Sequence, residues 1–415
     1  MMKQINIGII GLGVVGSAVA EALKRNAALV AAQSGIQLNV KKGCDLRKVK
    51  AACPVTSDAY ALINDPEIKI IVETMGGVNP AKKFVLDALA AGKHVVTSNK
   101  ELVASHMPEL LSAAKRRNVS LLYEASVGGG VPILAALRKN LAGNTLTEVY
   151  GIVNGTTNYI LSTMAEEGKE FSEALNEAQE KGYAEANPKK DIEGYDAAYK
   201  AVILAAEAFG ERVKLDSVYR EGIEKISGED ILYAREIGFA IKLLAIAQKG
   251  DRGVDVRVHP ALVPLSHPLA GVRKNFNAIY VQGYPVGELM FYGPGAGGEP
   301  TASAIISDLI ELGQAGTIFR RELKDATVKP IAEIVSRYYL RLQVSDKVGV
   351  LASIAKIFAE KNVSIAAVIQ KETVGSLATL VIMLDEAVEK NIQAAISAAK
   401  KLSVVNRVNN LIRIL

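Results

Sequence analysis

The stretch INIGIIGLGVVGSAVAEALK, residues 5–24, decides the fold of the first part of the chain. An apolar run from Ile5 to Ile10 breaks at Gly11-Leu12-Gly13-Val14-Val15-Gly16, and apolar residues then recur at helical spacing from Ser17 to Lys24. Strand, glycine turn and helix in this order suit a diphosphate. Gly11 permits the tight turn, Gly13 lets backbone amides approach a pyrophosphate, and Gly16 lets the helix pack closely on the strand, while the helix N-terminus adds partial positive charge. A turn built for packing alone would carry the same glycines; the flanking strand and helix favour a dinucleotide site.

Working outward, residues 1–128 continue to alternate apolar runs with helical patterns: Ile68–Val72, Ala81–Ala91, His94–Thr97, Pro108–Arg117 and Ser120–Glu124. This alternation predicts an α/β fold, a Rossmann-type domain with a parallel sheet covered on both faces. From 129 to 300, helical patterns at Asp191–Phe209 and Glu229–Gln248 mix with alternating stretches at Val254–Val258 and Glu288–Tyr292, the texture of an α+β substrate domain. Residues 319–336 are charged and aperiodic and read as a linker. Residues 337–415 follow a β-α-β-β-α-β order, which is ferredoxin-like.

Composition narrows the function. Hydrophobic residues are 49% and charged residues 22% of 415, an ordinary globular balance. No apolar run approaches the ~18–20 residues that cross a bilayer, and MMKQINIGII reads as a first strand rather than a signal peptide, so no membrane is expected and the reading is cytoplasmic. The 49 Lys and Arg are spread along the chain against 44 Asp and Glu, so nucleic acid is not implied. Two cysteines, Cys44 and Cys53, and four scattered histidines argue against a disulfide framework and a transition-metal catalyst.

Several candidates remain, each with an ordinary alternative. HVVTSNK, residues 94–100, puts Lys100 at the C-terminal edge of a strand, where open α/β sheets bind ligands; a solvated lysine is the other reading. In DIEGYDAAYK, residues 191–200, Asp196 and Lys200 share a helix face as a surface ion pair or as something more. The apolar Ala201–Ala206 follows directly, so Lys200 borders a buried stretch, and a partly desolvated lysine can donate protons. YEASVGGGVPI, residues 123–133, sets Glu124 near a Gly run whose carbonyls suit a hard cation or form a hinge. GPGAGGEPTAS, residues 293–303, closes over a ligand or turns the chain. For the cofactor, Asp45 would accept a ribose 2′-hydroxyl and favour NAD, whereas Arg47 and Lys48 would hold a 2′-phosphate and favour NADP; both stay open.

Taken in order, GLGVVG, HVVTSNK, YEASVGGGVPI, GIVNGTTNYIL, GYAEANP, DIEGYDAAYK, RVHP and GPGAGGEPTAS resemble the homoserine dehydrogenases over residues 1 to 320. Asp346-Lys347-Val348-Gly349-Val350-Leu351 resembles the first strand–helix turn of an ACT domain. The resemblance implies reversible NAD(P)H-dependent reduction of L-aspartate 4-semialdehyde to L-homoserine, on the route to threonine, methionine and isoleucine. It implies Lys200 as proton donor, with Asp196 and Lys100 also catalytic and Glu185 and Asp196 holding substrate. Gly11, Gly13, Val14, Val15, Gly16, Thr74, Lys100, Gly182 and Gly297 would approach the dinucleotide. Glu124 with the carbonyls of Val127, Gly129 and Val131 would form a structural sodium site. The helix after Thr301, residues 301–318, would return to the dinucleotide domain. The ACT domain implies threonine as an effector near Asp346 and Gly349, and the family implies a homodimer or homotetramer. Many members carry Arg where Cys44-Asp45 stands here, so cofactor preference is not inherited.

Rival readings use other residues. A phosphorylating semialdehyde dehydrogenase needs a nucleophilic Cys near a His, but both cysteines fall within the first 53 residues. A 2-hydroxyacid dehydrogenase with an ACT domain would depend on His259 as its base. A non-catalytic sensor of dinucleotide and amino acid would leave Glu185, Asp196 and Lys200 incidental.

Overall fold

A computed structural model describes residues 2–251, 253–318 and 320–415; Phe319, the first residue of the expected linker, lies outside the described residues. The chain divides into two compact units, Met1–Val153 with Tyr199–Leu215 and Phe276–Ala326, and Asn154–Ala198 with Asp216–Asn275 and Thr327–Leu415.

In the first unit, β1 (Lys3–Ile10), β2 (Ile36–Cys44), β3 (Val55–Thr56), β4 (Ile68–Glu73), β5 (His94–Thr97) and β6 (Leu121–Leu122) form one sheet in the order β3-β2-β1-β4-β5-β6. Every pairing is parallel. The strand order reverses between β1 and β4, and such a switch point is where doubly wound sheets take ligands beyond their C-terminal ends. From Ile7 to Ile10 β1 is buried without alternation, as a parallel strand covered on both faces must be. Helix Val14–Arg25 turns Val19, Ala20 and Leu23 inward, and Ile305, Leu309 and Leu312 of helix Gly298–Ala315 join the same core. Helix Lys100–Arg116 starts well before the expected Pro108, because the Asn99 side chain accepts the Leu102 N–H and caps a helix that runs through the proline. The antiparallel strands Thr145–Ile152, Phe276–Tyr284 and Gly287–Pro294 complete this unit.

The second unit holds the hairpin Phe239–Gly250 and Gly253–Pro264 with helices Gly155–Glu167, Phe171–Glu180 and Gly228–Glu236. The stretch Glu229–Gln248, expected as one helix, is a helix and then a strand. Gly238 breaks it at φ +88°, and the buried run that follows has no period to separate strand from helix. The tail folds as strand Val335–Ser345, helix Val350–Glu360, strands Ile365–Val374 and Leu377–Val388, helix Glu389–Ala399 and strand Val405–Ile414, the expected β-α-β-β-α-β. Its strands lie in the spatial order last, first, third, second, with Ile354, Phe358, Ile392 and Ala395 of the helices packed on Leu340, Leu342, Leu380 and Ile382. Its last strand also pairs with Gly253–Pro264 through Ala261–Arg413 and Leu262–Ile414. No helix among the described residues is long and apolar enough to cross a membrane.

Candidate active site

The glycine turn after β1 has no room for side chains at two positions. A Cβ on Gly16 would stand 1.9 Å from the Gly11 carbonyl oxygen, and one on Gly11, itself at φ +96°, would press on the Thr74 backbone at 2.9 Å. The Thr74 hydroxyl donates to that same Gly11 carbonyl at 2.6 Å. Gly13 differs, since a Cβ there would meet only the Arg47 guanidinium at 3.7 Å. Gly297 caps helix Gly298–Ala315 at φ +120°, and a Cβ on Gly298 would lie 3.1 Å from Val14 Cγ1. The structure therefore gathers Gly11, Gly13, Val14, Val15, Gly16, Thr74 and Gly297 at one end of the sheet.

Asp45 closes the end of β2. One of its oxygens accepts the Leu12 N–H at 3.0 Å, the other accepts the Arg47 N–H at 2.9 Å, and the Arg47 guanidinium binds both. The Arg47 hydrogen bonds hold its carboxyl well below the usual carboxylate range. At the ends of β4 and β5, the wholly buried Glu73 accepts the Met75 N–H at 2.7 Å and the Thr97 hydroxyl at 2.6 Å. Burial pushes its carboxyl up. Thr97 accepts the Asn99 N–H, and Asn99 Nδ2 donates to the Gly77 carbonyl at 2.6 Å, so the turn that presents Lys100 and the loop after β4 form one hydrogen-bonded piece. Glu73 and Asn99 were not singled out by sequence; their value lies in tertiary bonds that no spacing reports.

The Gly128–Gly130 loop is also in this unit. Both Glu124 oxygens accept backbone N–H groups, from Leu134 at 2.8 Å and Ala135 at 2.5 Å, so the carboxylate caps the next helical turn. Burial pushes its carboxyl up to about 7. Gly128 and Gly129 take φ +74° and +60°, and Gly129 packs against the Gly295 backbone. A Cβ on Gly295 would overlap the amide of Asn277, which is wholly buried and has no hydrogen-bond partner. Neutral carbonyls such as those of the Gly128–Gly130 loop suit a hard cation better than a soft metal. Among the described residues no group of three or more His, Cys, Asp or Glu could hold a metal.

Lys200, on helix Tyr195–Phe209, is only 8% exposed, and its Nζ donates to the Val153 carbonyl at 2.6 Å. It is therefore not a solvated surface lysine. Asp196, one turn earlier on the helix, is 5% exposed.

In the second unit Asp196 meets Asp191 at Asn154. Its Nδ2 donates to Asp191 Oδ1 at 2.7 Å and to Asp196 Oδ2 at 2.9 Å, while its Oδ1 accepts the Thr157 N–H at 2.9 Å and caps helix Gly155–Glu167. The neighbouring Thr156 hydroxyl donates to the Tyr183 carbonyl at 2.6 Å. Gly182, at φ +73°, turns the chain after helix Phe171–Glu180, and exposed Glu185 follows. Sequence reasoning missed Asn154 and Asp191 as site residues. Asn-Gly-Thr-Thr ahead of an apolar run is an N-cap signal, yet nothing local places Asn154 against Asp191.

His259 is 1% exposed; its Nδ1–H donates to the Pro260 carbonyl and its Nε2 accepts from Arg257. Burial, then the charges of Arg413 and Arg257, hold its pKa well below the ordinary value, so it is a neutral, enclosed imidazole and no base for a substrate. In the tail, Asp346 and Gly349 are exposed, and Gly349 at φ +85° precedes helix Val350–Glu360.

Comparison with known proteins agrees in every region. Family models match for the homoserine dehydrogenase NAD-binding domain over residues 11–124, homoserine dehydrogenase over 132–310 and the ACT domain over 338–404. A homoserine dehydrogenase from Neisseria gonorrhoeae is 42% identical, with 99% of each chain covered. The crystal structure of a homoserine dehydrogenase from Thiobacillus denitrificans superposes with a TM-score of 0.95 at 40% identity, over 100% of this chain and 99% of that one. A hyperthermophilic archaeal homoserine dehydrogenase in complex with NADPH gives 0.64 at 29% identity, over 74% of this chain and 97% of that one.

Proposed function

Because the chain belongs to the homoserine dehydrogenase family, a family of NAD(P)-dependent oxidoreductases, we propose that it reduces L-aspartate 4-semialdehyde to L-homoserine with Lys200 as the proton donor. The observation that carries this reading is the burial of Lys200 on a helix whose preceding turn bears Asp196. When bound, the nicotinamide supplies the hydride. As hydride reaches the aldehyde carbon, negative charge grows on the oxygen; an ammonium at that point stabilises the charge and yields its proton, giving the alcohol. The Val153 carbonyl accepts from Lys200 Nζ and so fixes the direction of the side chain before substrate arrives.

The substrate also carries an α-ammonium and an α-carboxylate. Asp196 and Glu185 suit the ammonium, and the first-turn N–H groups of helix Gly155–Glu167 suit the carboxylate. Lys100, at the start of its helix and at the C-terminal edge of the sheet, is assigned to the dinucleotide and the reacting centre with Gly11, Gly13, Val14, Val15, Gly16, Thr74, Gly182 and Gly297. The carbonyls of Val127, Gly129 and Val131, beside Glu124, would hold a sodium ion with a structural role. The ACT domain is assigned to threonine, bound near Asp346 and Gly349, in a homodimer or homotetramer, and the reaction to the biosynthesis of threonine, methionine and isoleucine.

The test is Lys200→Ala in the full chain. Turnover of the semialdehyde is expected to fall by about 10²–10⁴-fold, while the dissociation constant for NADPH, read by calorimetry, stays within about twofold. Wild-type turnover in Lys200→Ala removes the proton-donor role.

A further inference from the structure

Three parallel strands of the first unit end in line. Ile10 of β1 pairs with Glu73 of β4, and Glu73 pairs with Thr97 of β5, so Glu73 stands beside the point where the strand order reverses. It is wholly buried, and each oxygen of its carboxyl faces a donor: Oε1 the Met75 N–H, Oε2 the Thr97 hydroxyl. The Thr97 oxygen already accepts the Asn99 N–H, which leaves its own hydrogen for Glu73. A protonated carboxyl would need an acceptor, and here both oxygens meet donors. This bonding selects the carboxylate, although burial pushes the other way. Both donors are neutral. They spread the negative charge over hydrogen bonds without cancelling it, and a charge enclosed in this way is felt further than one in water.

We propose that Glu73 is the counter-charge for the oxidised nicotinamide: its carboxylate, held by the loop that begins at Thr74, stabilises the cationic ring that remains after hydride has left. This rests on the reading of the first unit as the dinucleotide site and is independent of which aldehyde is reduced. Hydride transfer moves a hydrogen nucleus and two electrons from a neutral dihydronicotinamide to the carbonyl carbon; the ring is left with one positive charge, and the alkoxide takes its proton from an ammonium of the protein. The cofactor thus brings to the strand ends one charge that depends on its oxidation state, and the strand ends already hold the opposite one. The Thr74 hydroxyl donates to the Gly11 carbonyl, so the loop that encloses Glu73 is bonded to the glycine turn expected to carry the pyrophosphate. Asn99 joins the turn before Lys100 to the same loop through the Gly77 carbonyl. With no exposed surface, Glu73 touches neither the ring nor the aldehyde. It acts across the enclosed space between them, where an attraction made only to the cation favours the product side of hydride transfer.

Dissociation constants for NADP+ and NADPH, measured by calorimetry without substrate, test this in the full chain. Glu73→Gln removes the charge and keeps the size; Thr97→Val keeps the charge and removes the hydroxyl bond. For Glu73→Gln, the ratio of the NADP+ constant to the NADPH constant is expected to rise about tenfold or more over wild type, with NADPH binding within about threefold. For Thr97→Val the ratio stays within about twofold of wild type, even where the melting temperature and the affinity for both forms fall. Equal weakening of both forms in Glu73→Gln, or the same shift of the ratio in Thr97→Val, makes Glu73 a brace of the turn and overturns the proposal. Should the glutamine variant fail to fold, Glu73→Asp, which keeps the charge on a shorter arm, carries the test: a ratio within about threefold of wild type supports the proposal, and a rise of about tenfold overturns it. A wild type that binds neither form removes the dinucleotide reading itself, a result distinct from any change in the ratio.

Discussion

Gly16 and Arg47 mark the two extremes of what single residues disclose. The need for glycine at 16 is readable from spacing, because a strand, a turn and a helix of fixed geometry bring the Gly11 carbonyl to where a Cβ would be. The role of Asp45 is not readable, because it depends on which way one side chain swings. In the structure both Asp45 oxygens are taken by Leu12 and Arg47, so the carboxylate is committed to the glycine turn and not turned outward to a ribose. Arg47, with its side chain 68% exposed, keeps donors that Asp45 does not use, close to Gly13 where a dinucleotide is expected. An exposed guanidinium at that place would serve a 2′-phosphate better than a 2′-hydroxyl. Arg47→Ala is expected to weaken NADP+ binding by about tenfold, the scale of a charge-assisted hydrogen bond, and to leave NAD+ nearly unaffected. Calorimetric dissociation constants for the two oxidised cofactors check it, and equal losses for both would assign Arg47 to the turn alone.

At the scale of elements, long periodic segments were legible and their ends were not. The parallel sheet and the β-α-β-β-α-β tail follow from alternation and order, whereas the return of helix Gly298–Ala315 to the first core was implied only by the family resemblance. The break at Gly238 and the early start at Asn99 depend on a backbone angle and a cap, which periodicity does not sense. The pairing of helices Gly155–Glu167 and Phe171–Glu180 is of the same kind. Glu177 accepts from Lys169, Lys181 and the Tyr159 hydroxyl, and these bonds, those of the two lysines first, depress its carboxyl from 4.5 to about 2. A carboxyl depressed in the folded state adds stability that is complete above pH 4.5 and is given up as pH falls through about 2. Glu177→Gln should therefore melt below the wild type at pH 7, with the gap narrowing steadily between pH 4.5 and 2; a gap independent of pH would show that packing, and not charge, is what the glutamate contributes. Thermal melts across that range measure it.

For the whole molecule, the ACT domain was legible as a domain, but its attachment was not. Asp230, wholly buried on helix Gly228–Glu236, accepts from Arg341 Nε at 2.7 Å, from the Tyr339 hydroxyl at 3.2 Å and from Asn410 Nδ2 at 3.0 Å, all three on ACT strands. Arg413 adds Glu221 to its buried pair with Glu389. The tail thus shares a hydrogen-bonded interior with helix Gly228–Glu236 of its own unit. Deleting the tail is then a poor test of regulation, because it strips Asp230 of Arg341 and uncovers its surroundings, and it bares the edge of Gly253–Pro264. A substitution in the full chain avoids both faults. Asp346 is exposed at the strand–helix turn, its carboxylate 3.4 Å from Gln370 Nε2, so its removal disturbs little of the fold. Threonine is expected to inhibit the wild type, and Asp346→Ala to require at least about tenfold more threonine for the same fractional inhibition, in keeping with the loss of one charged hydrogen bond. Each variant is compared with its own rate in the absence of threonine. Identical threonine curves for the two proteins would detach the effector from this turn, and no response in either would leave the domain as an assembly module.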